Sequence, residues 1–148
     1  ATSGGGVGLA APDADGMARC MQRAMQDAGI SPGDVDLINA HATGTISGDQ
    51  AEAQAIQHVF GDQTPVNSLK GHLGHAMAAC GAFETVALLE MMRRDTAVAT
   101  RNLEHVDPAC AGVRHLQENA SLSLHVVAKN SFALGGINAT LIIRDHSP

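Results

Sequence analysis

The sequence contains one pattern twice: a short apolar strand leads through a histidine-containing polar loop into an apolar helix. The first copy has a predicted strand at 35–39 and a helix that begins at Asp49. The second has a predicted strand at 65–68 and a helix from His75 to about Arg93. This alternation predicts an α/β fold around a largely parallel sheet, in which ligands gather at the carboxyl ends of the strands. Both histidine loops therefore lie at one edge of the predicted sheet.

Local signals place the other elements of the first half. The glycine-rich run at 4–8 has no strand before it and no helix directly after it, so we interpret it as a linker and not as a phosphate-binding loop. Methionines at helical spacing predict a helix over 14–28, with a methionine face in the core and Gly29 as its end. Asp49 and Glu52 have the spacing of a capping box, which marks the start of the next helix.

The C-terminal part of the sequence predicts an irregular stretch and two strands. Residues 95–122 combine a proline with several polar clusters and are expected to be irregular. Strands are predicted at 124–128 and 139–143, joined through the segment NSFALGGIN at 130–138.

Composition excludes several classes of protein. With 148 residues, 45% of them hydrophobic, the chain is expected to form one globular domain over 1–148. A net charge of -6 and scattered basic residues exclude a general nucleic-acid surface. No apolar run reaches the length of a membrane span and no signal-peptide pattern opens the sequence, so a cytoplasmic protein is expected. Cys20, Cys80 and Cys110 are widely spaced, which predicts reduced structural thiols.

Three motifs lie at the same edge of the predicted sheet: HATGT at 41–45, KGHLGH at 70–75, and NSFALGGIN. A single histidine after a strand is more often a hydrogen-bonded structural residue than a catalyst. His72 and His75 are three residues apart and could be metal ligands, but no acidic or thiol ligand accompanies them at a useful spacing. We therefore expect no metal site.

Glu84 is the only charged residue between His75 and Leu89, in a helix predicted to be buried on most faces. An unpaired buried carboxylate destabilises a fold by several kcal/mol, so Glu84 requires a cation, and Lys70 is the nearest in sequence. The predicted position of His75 at or near the helix N-terminus favours a neutral imidazole, which can donate one hydrogen bond.

Together the motifs resemble the C-terminal half of a β-ketoacyl-acyl-carrier-protein synthase, an elongating condensing enzyme of the thiolase-like superfamily, over essentially the whole chain. The implied fold is half of the thiolase-like fold, with a mixed, mostly parallel sheet flanked by helices. NAHATGT followed by SGDQAEAQA resembles the family's first-histidine motif. The resemblance implies that His41 is catalytic and that Thr43 and Thr45 contact phosphopantetheine.

NSLKGHLGHAMAACGA resembles the second-histidine motif, and NSFALGGINA resembles the glycine-rich loop near the nucleophile. The resemblance implies that Lys70 is the active-site lysine, His75 the second catalytic histidine and Glu84 the acidic partner of the lysine. It also implies that the backbone around Leu134 borders the oxyanion hole of an acyl-cysteine.

The reaction that the resemblance implies is decarboxylative Claisen condensation of an acyl thioester with malonyl carrier protein, in fatty-acid or polyketide synthesis. The chain would hold no cofactor of its own, since the substrates are carried on the phosphopantetheine of acyl carrier protein. The expected partners are acyl carrier protein and an N-terminal ketosynthase half, within a homodimer. None of the three cysteines matches the family's nucleophile motif, so that cysteine is expected in the N-terminal half and this chain alone is expected to be inactive.

Some residues depart from the family pattern or separate its branches. Ala42 stands where glycine is usual, and Ala133 and Leu134 stand where Gly-Phe is usual. A degradative thiolase would have a cysteine in its last glycine-rich motif, and NSFALGGIN has none. An initiating condensing enzyme would pair histidine with asparagine, whereas the pair here is two histidines. The alternative is a non-catalytic partner subunit or a structural half of a condensing enzyme.

Overall fold

The computed structural model of the chain describes Thr2–Ser3 and residues 12–146. The helices are α1 (Ala14–Ala28), α2 (Ile46–Phe60), the one-turn α3 (Lys70–Leu73) and α4 (Cys80–Arg93). The strands are β1 (Thr2–Ser3), β2 (Leu37–Asn39), β3 (Pro65–Asn67), β4 (Thr96–Ala97), β5 (Arg114–His115), β6 (Ala120–Ser121), β7 (Val126–Ala133) and β8 (Ile137–Arg144). Within the described residues, no helix combines the length and apolar character needed to cross a membrane.

Six strands form the main sheet, in the order β1-β8-β7-β2-β3-β5. Strands β7, β2, β3 and β5 run parallel to one another, whereas β8 is antiparallel to β7 and β1 is antiparallel to β8. Strands β4 and β6 form a separate antiparallel pair. The predicted α/β fold, with a mixed and mostly parallel sheet flanked by helices, is confirmed.

Helices cover the two faces of the sheet and define two cores. On one face, α1 and α2 pack over Ile38 and Val66, and the methionine face of α1 is buried there as predicted. On the other face, Leu88 of α4 packs against Leu37 and Val127. Leu37 and Ile38 lie in different cores because successive side chains of a strand point to opposite faces. The site residues at the carboxyl ends of β2 and β3 therefore rest on a fully buried foundation.

The start of α2 differs from the prediction. The helix begins at Ile46, three residues before Asp49, and the capping box of Asp49 and Glu52 is wrong. The Asp49 carboxylate instead accepts a hydrogen bond from the backbone N–H of Gly44 at 3.2 Å, in the loop before the helix. Both carboxylates face this preceding loop, so the acidic residues stabilise the histidine loop and do not cap the helix.

The segment before α4 also differs from the prediction. His75 does not begin the helix, which starts at Cys80 after a 3₁₀ turn at Met77–Ala79. The expected Lys-Gly-His turn is the short helix α3, which ends at Gly74 with a φ of 72°. Met77 also has a positive φ, of 51°. These two backbone conformations interrupt the helical path, so His75 lies in a loop between two helices.

The C-terminal strands are longer than predicted. β7 runs from Val126 to Ala133, so the first four residues of NSFALGGIN extend this strand and only Leu134–Gly136 form the turn. All eight residues of β7 pair with β8, and Gly135 and Gly136 provide the positive φ angles of 79° and 72° that the reversal needs.

Smaller differences concern the ends of the sheet. The stretch 95–122 is not wholly irregular, because it contains β4, β5 and β6, and β5 extends the main sheet beyond β3. Strands β2 and β3 are shorter than the predicted spans. The run at 4–8 lies outside the described residues, but contrary to expectation a strand, Thr2–Ser3, precedes it.

Candidate active site at the carboxyl edge of the sheet

The structure brings the two predicted histidines together at the carboxyl edge of the sheet. His41 follows β2 by two residues, and the loop after β3 carries Lys70 and His75. The imidazole centroids of His41 and His75 lie 5.5 Å apart, and the ring planes are nearly perpendicular at 86°. Two side chains 34 positions apart in sequence therefore face the same small volume.

His41 is held by its backbone as well as by its ring contacts. Its N–H donates to Glu52 Oε1 at 2.9 Å, and the N–H of Ala42 donates to Oε2 at 2.8 Å. Ala42 has a φ of 27°, a conformation that non-glycine residues rarely adopt. The ring of Phe132 lies 6.4 Å from that of His41. The Glu52 carboxylate therefore fixes an unusual backbone turn directly at the histidine.

Glu52 was missed by the sequence reasoning as part of the site. It is buried, and its Oε1 also accepts a hydrogen bond from the Asn130 amide at 3.1 Å, while Thr140 donates to Asn130 Oδ1 at 2.9 Å. Burial raises the pKa of the Glu52 carboxyl, and the N–H groups of Ala42 and His41 counter that effect. The available signal was an acidic residue within the otherwise apolar inner face of α2.

His41 is neutral over most of the accessible pH range. Its pKa is lowered to about 4, mainly by burial and in addition by the positive charge of Lys70 and by the neighbouring His75, against the opposing effect of Glu84. A neutral imidazole carries one N–H and can therefore donate one hydrogen bond, while its other ring nitrogen is an acceptor.

The tautomer of His75 follows from its neighbours. Its Nδ1 accepts a hydrogen bond from the Met77 backbone N–H at 3.2 Å, so Nδ1 of the neutral ring carries no hydrogen. The Cys80 thiol lies 3.0 Å from the same nitrogen and donates to it, while its sulfur accepts the N–H of Ala76 at 3.1 Å. The hydrogen of the neutral His75 ring is therefore on Nε2, which is available as a donor.

The predicted pair of Lys70 and Glu84 is confirmed, and a second lysine joins it. Lys70 Nζ lies 2.6 Å from Glu84 Oε1. Lys129 Nζ lies 2.9 Å from Glu84 Oε2 and also donates to Ser131 Oγ. The three charged side chains are at most 6% exposed. Lys129 was missed, although a lysine within the apolar strand VVAKN was a usable signal.

Polar side chains tie the two strand ends to each other below the histidines. Asn39 Nδ2 donates to Asn67 Oδ1 at 2.9 Å, and Asn67 Nδ2 donates to the Val98 carbonyl at 2.7 Å. Ser68 Oγ donates to the Ala42 carbonyl at 3.3 Å. Because these groups are buried and hydrogen-bonded, they hold β2 and β3 in fixed register under the site.

The remaining predicted residues surround the histidines less closely. The Thr43 and Thr45 hydroxyls lie 3.2 Å from each other in the loop after His41. Leu134 lies in the β7–β8 turn with 72% of its surface exposed. The Nε2 atom of His72 lies 2.9 Å from the Ala99 carbonyl oxygen, which argues against a role for His72 as a metal ligand. Among the described residues, no group of three or more potential ligands is arranged to hold a metal ion.

The three cysteines are buried, and none of them forms a disulfide in the part of the chain that the structure describes. Burial raises the pKa of the Cys110 thiol, and the nearby carboxylates of Asp107 and Asp49 raise it further. Cys80 is engaged with His75 as described. None of the three combines the exposure and electropositive surroundings of a reactive thiolate.

One face of α4 is exposed, contrary to the expectation that this helix is buried on most faces. Phe83, Val86 and Leu89 of this helix are 60%, 66% and 50% exposed. Ile137 and Leu141 of β8 are also exposed, on the side of the sheet that α4 covers. Exposed apolar surface of this extent is typical of an interface. Outside α2, the exposed large apolar side chains of the described residues are Leu73, Met77, Phe83, Val86, Leu89, Leu134, Ile137 and Leu141.

The chain resembles proteins of one family in sequence. Residues 1–104 match the family described as "Beta-ketoacyl synthase, C-terminal domain". The chain is 42% identical over 135 residues to 3-oxoacyl-[acyl-carrier-protein] synthase 2 of Coxiella burnetii, which covers 89% of this chain and 33% of that protein. It is 37% identical over 140 residues to 3-oxoacyl-[acyl-carrier-protein] synthase 1 of Escherichia coli K12, covering 94% of this chain and 34% of that protein.

Solved structures show the same similarity. A crystal structure of a beta-ketoacyl synthase from Burkholderia phymatum STM815 superposes with a TM-score of 0.96 at 41% identity, covering 99% of this chain and 36% of that one. A ketosynthase in complex with a type II polyketide synthase acyl-carrier protein superposes with a TM-score of 0.92 at 33% identity, covering 99% and 37%. The chain spans about one third of the length of the curated relatives that it matches.

Proposed function

Because this chain belongs to the beta-ketoacyl synthase family and corresponds to its C-terminal domain, we propose that it supplies the histidine and lysine part of the active site of a 3-oxoacyl-[acyl-carrier-protein] synthase. The observation that carries the proposal is the convergence of His41 and His75, 5.5 Å apart, at the carboxyl edge of the sheet. The buried pair of Lys70 and Glu84 anchors the segment before His75. The pathway is fatty-acid or polyketide synthesis, and residues 1–148 act as one domain of the parent enzyme.

The proposed reaction is a decarboxylative Claisen condensation. A cysteine thiolate first attacks the acyl thioester of the carrier, so that the acyl group passes to the cysteine and the carrier's thiolate leaves and takes up a proton. The bond between the malonyl carboxyl and its α-carbon then breaks, carbon dioxide leaves, and the electron pair forms an enolate of the malonyl thioester. The enolate carbon attacks the acyl-cysteine carbonyl, and the cysteine thiolate leaves as the 3-oxoacyl product forms on the carrier.

The two histidines stabilise the enolate oxygen in this proposal. A neutral His41 donates one hydrogen bond, and its pKa of about 4 keeps it neutral at the pH of the cell. His75 donates a second from Nε2, since Nδ1 is occupied by the Met77 N–H. Preorganised donors of this kind at a developing oxyanion are worth about 10²–10³-fold each in rate.

The substrate reaches the histidines on a phosphopantetheine arm in this proposal. The hydroxyls of Thr43 and Thr45, in the loop after His41, contact that arm, and the backbone around Leu134 borders the oxyanion hole of the acyl-cysteine. The carrier is acyl carrier protein, which supplies the arm, so the chain itself holds no cofactor. A structural relative of the chain binds an acyl-carrier protein as a ketosynthase, which supports this choice of partner.

The nucleophilic cysteine comes from an N-terminal ketosynthase half in this proposal. Cys80 serves His75, and Cys20 and Cys110 are buried in the core on the other side of the sheet from α4. The exposed apolar side chains of α4, among them Phe83 and Val86, provide the surface that the N-terminal half covers. Two such complete units form the homodimer of the parent enzyme.

The proposal is tested in the full-length parent enzyme with His41→Ala and His75→Ala. Each replacement is expected to reduce decarboxylation of malonyl carrier protein by about 10²–10³-fold, because one donor to the enolate oxygen is lost. Acyl transfer to the cysteine should be less affected. His72→Ala is the matched control, since His72 lies in α3, three residues before His75, and its Nε2 is next to the Ala99 carbonyl oxygen. Intact decarboxylation in both histidine variants would exclude the proposed roles and favour a non-catalytic partner subunit.

A further inference from the structure

The chain contains two lysines, and both lie on the same buried carboxylate. Lys70 contacts one oxygen of Glu84 and Lys129 contacts the other. Lysine is almost never fully buried unless it is paired. Both lysines meet that condition through Glu84, and their side chains are at most 6% exposed. The side-chain cations elsewhere in the chain that are charged at neutral pH are all arginines. The placement of both lysines indicates a requirement at this position beyond surface solubility.

One lysine would balance the charge of Glu84, so the second leaves a formal charge of +1 in the cluster of Lys70, Lys129 and Glu84. A buried charge without a partner of opposite sign destabilises the folded state. Lys129 follows three apolar residues of β7, where a methionine would fill the same space without that penalty. The excess positive charge therefore favours a site at which negative charge develops during function.

Lys129 is close to the histidines through the sheet itself. It pairs across the parallel strands with Asn39, and His41 follows Asn39 by two residues. Its ammonium donates to Ser131, which lies further along β7 toward the same edge. The excess charge is thus located directly below the carboxyl edge where the two rings meet.

The charge of Lys129 reaches His41 electrostatically. Burial is the largest cause of the lowered pKa of His41, and Lys129 contributes to that lowering together with Lys70, while Glu84 opposes it. The charged and titratable groups that face His41 are Lys70, His75, Glu84, Lys129 and, at its backbone N–H, Glu52.

We propose that Lys129 is a second positioning cation of the active site, which with Lys70 holds both oxygens of Glu84 and leaves a buried positive charge that stabilises the enolate oxygen between the two histidines. Lys129 does not touch the reacting atoms and acts through the cluster and through His41. The inference rests on the proposed condensation chemistry. The proposed role gives strand β7 a function in catalysis through Lys129, a residue that lies outside both histidine motifs.

The test uses Lys129→Gln and Lys129→Arg in the full-length parent enzyme. Glutamine keeps a polar side chain at this position but removes the charge, whereas arginine keeps the charge. Lys129→Gln is expected to lower the rate of malonyl carrier protein decarboxylation by about tenfold, the order of effect of one partly screened charge near an oxyanion. It should also move the acid limb of the pH profile to higher pH, because a cation that lowers the pKa of His41 is gone. Lys129→Arg should retain most of the rate.

Stability separates this role from a structural one. Removal of an excess buried charge should leave the thermal midpoint of Lys129→Gln unchanged or higher while the rate falls. Lys129→Met gives the same readouts if the glutamine variant does not fold. An unchanged decarboxylation rate, an unshifted acid limb, or a parallel loss of stability and rate would overturn the role of Lys129. A wild-type enzyme that does not decarboxylate malonyl carrier protein would instead overturn the proposed function, and this inference with it.

Discussion

At the scale of single residues, the two histidines are prepared as donors by different means. His41 is kept neutral by burial and by the nearby lysine charges. His75 is exposed in this chain, and hydrogen bonds with Met77 and Cys80 fix the orientation of its ring. The two rings lie 5.5 Å apart, and a neutral His41 avoids the repulsion that two charged rings would have at that distance. The neutrality of His41 thus permits the two rings to lie side by side.

The lowered pKa of His41 predicts a specific dependence of stability on pH. Above about pH 6.5 the ring is neutral in the folded and the unfolded chain, so it contributes no pH dependence. As the pH falls from 6.5 to about 4, the unfolded chain takes up a proton that the folded chain does not, and the folded state is destabilised. The check is denaturant unfolding of wild type and His41→Gln across this range.

The wild-type chain should lose free energy of unfolding relative to His41→Gln only within that pH window. The His41→Gln variant is the control for the wild-type chain, because the acidic residues are the same in both proteins. Equal slopes of the two stability curves between pH 6.5 and 4 would contradict the lowered pKa.

Residues whose partners are near in sequence could be predicted, and residues whose partners are remote could not. A buried Glu84 requires a cation as its partner, and Lys70 lies 14 positions away in the adjoining motif. Glu52 accepts backbone N–H groups and the Asn130 amide, which is 78 positions away. Lys129 meets Glu84 because α4, which carries Glu84, packs over β7 where that strand lies beside β2. Strand order, which no local pattern encodes, decides these contacts.

At the scale of elements, α4 joins the site to the core. Its inner face carries Leu88 in the core and Glu84 one turn earlier toward the site. A helix with this arrangement cannot shift without moving both lysines. The existence of α4 and of the strands was predictable from apolar periodicity. Its start at Cys80 was not, because the positive φ of Met77 and the hydrogen bonds of His75 are tertiary features.

Replacement of Glu84 should damage the fold more than any other change on this helix surface. Glu84→Ala leaves two buried lysines without a counter-charge, and breaking a buried pair costs about 3–5 kcal/mol. Glu90→Ala is the matched control on the same helix, because Glu90 pairs with Arg93 and Arg94 in exposed bridges and should change stability little. Both are measured by chemical denaturation, and equal effects of the two substitutions would contradict the buried-cluster description.

At the scale of the whole molecule, the sheet is covered completely on one side and partly on the other. Helices α1 and α2 close the first face, whereas α4 covers the second face and then presents its own apolar side outward. The chain spans about one third of the length of its curated relatives. In the proposed function, the N-terminal half covers this open face.

The open face predicts association of the isolated chain. At high concentration the chain should self-associate in sedimentation velocity, because the apolar residues of α4 are removed from water by contact. Phe83→Asp should weaken this association. Ile46→Asp is the control, since Ile46 is exposed at least as much as Phe83, at 77% against 60%, but lies at the start of α2. A strictly monomeric wild-type chain, or equal effects of the two aspartates, would count against the interface.

The central claim is that this chain provides the decarboxylating part of an active site whose nucleophile lies elsewhere. The most direct test is to assay carbon dioxide release from malonyl carrier protein, and 3-oxoacyl product formation, for this chain alone and after co-expression with the N-terminal half of its parent. We expect no product from the chain alone, product from the pair, and loss of both signals in pairs that carry His41→Ala or His75→Ala. Product formation by the isolated chain, or full activity of a pair that lacks both histidines, would contradict this claim.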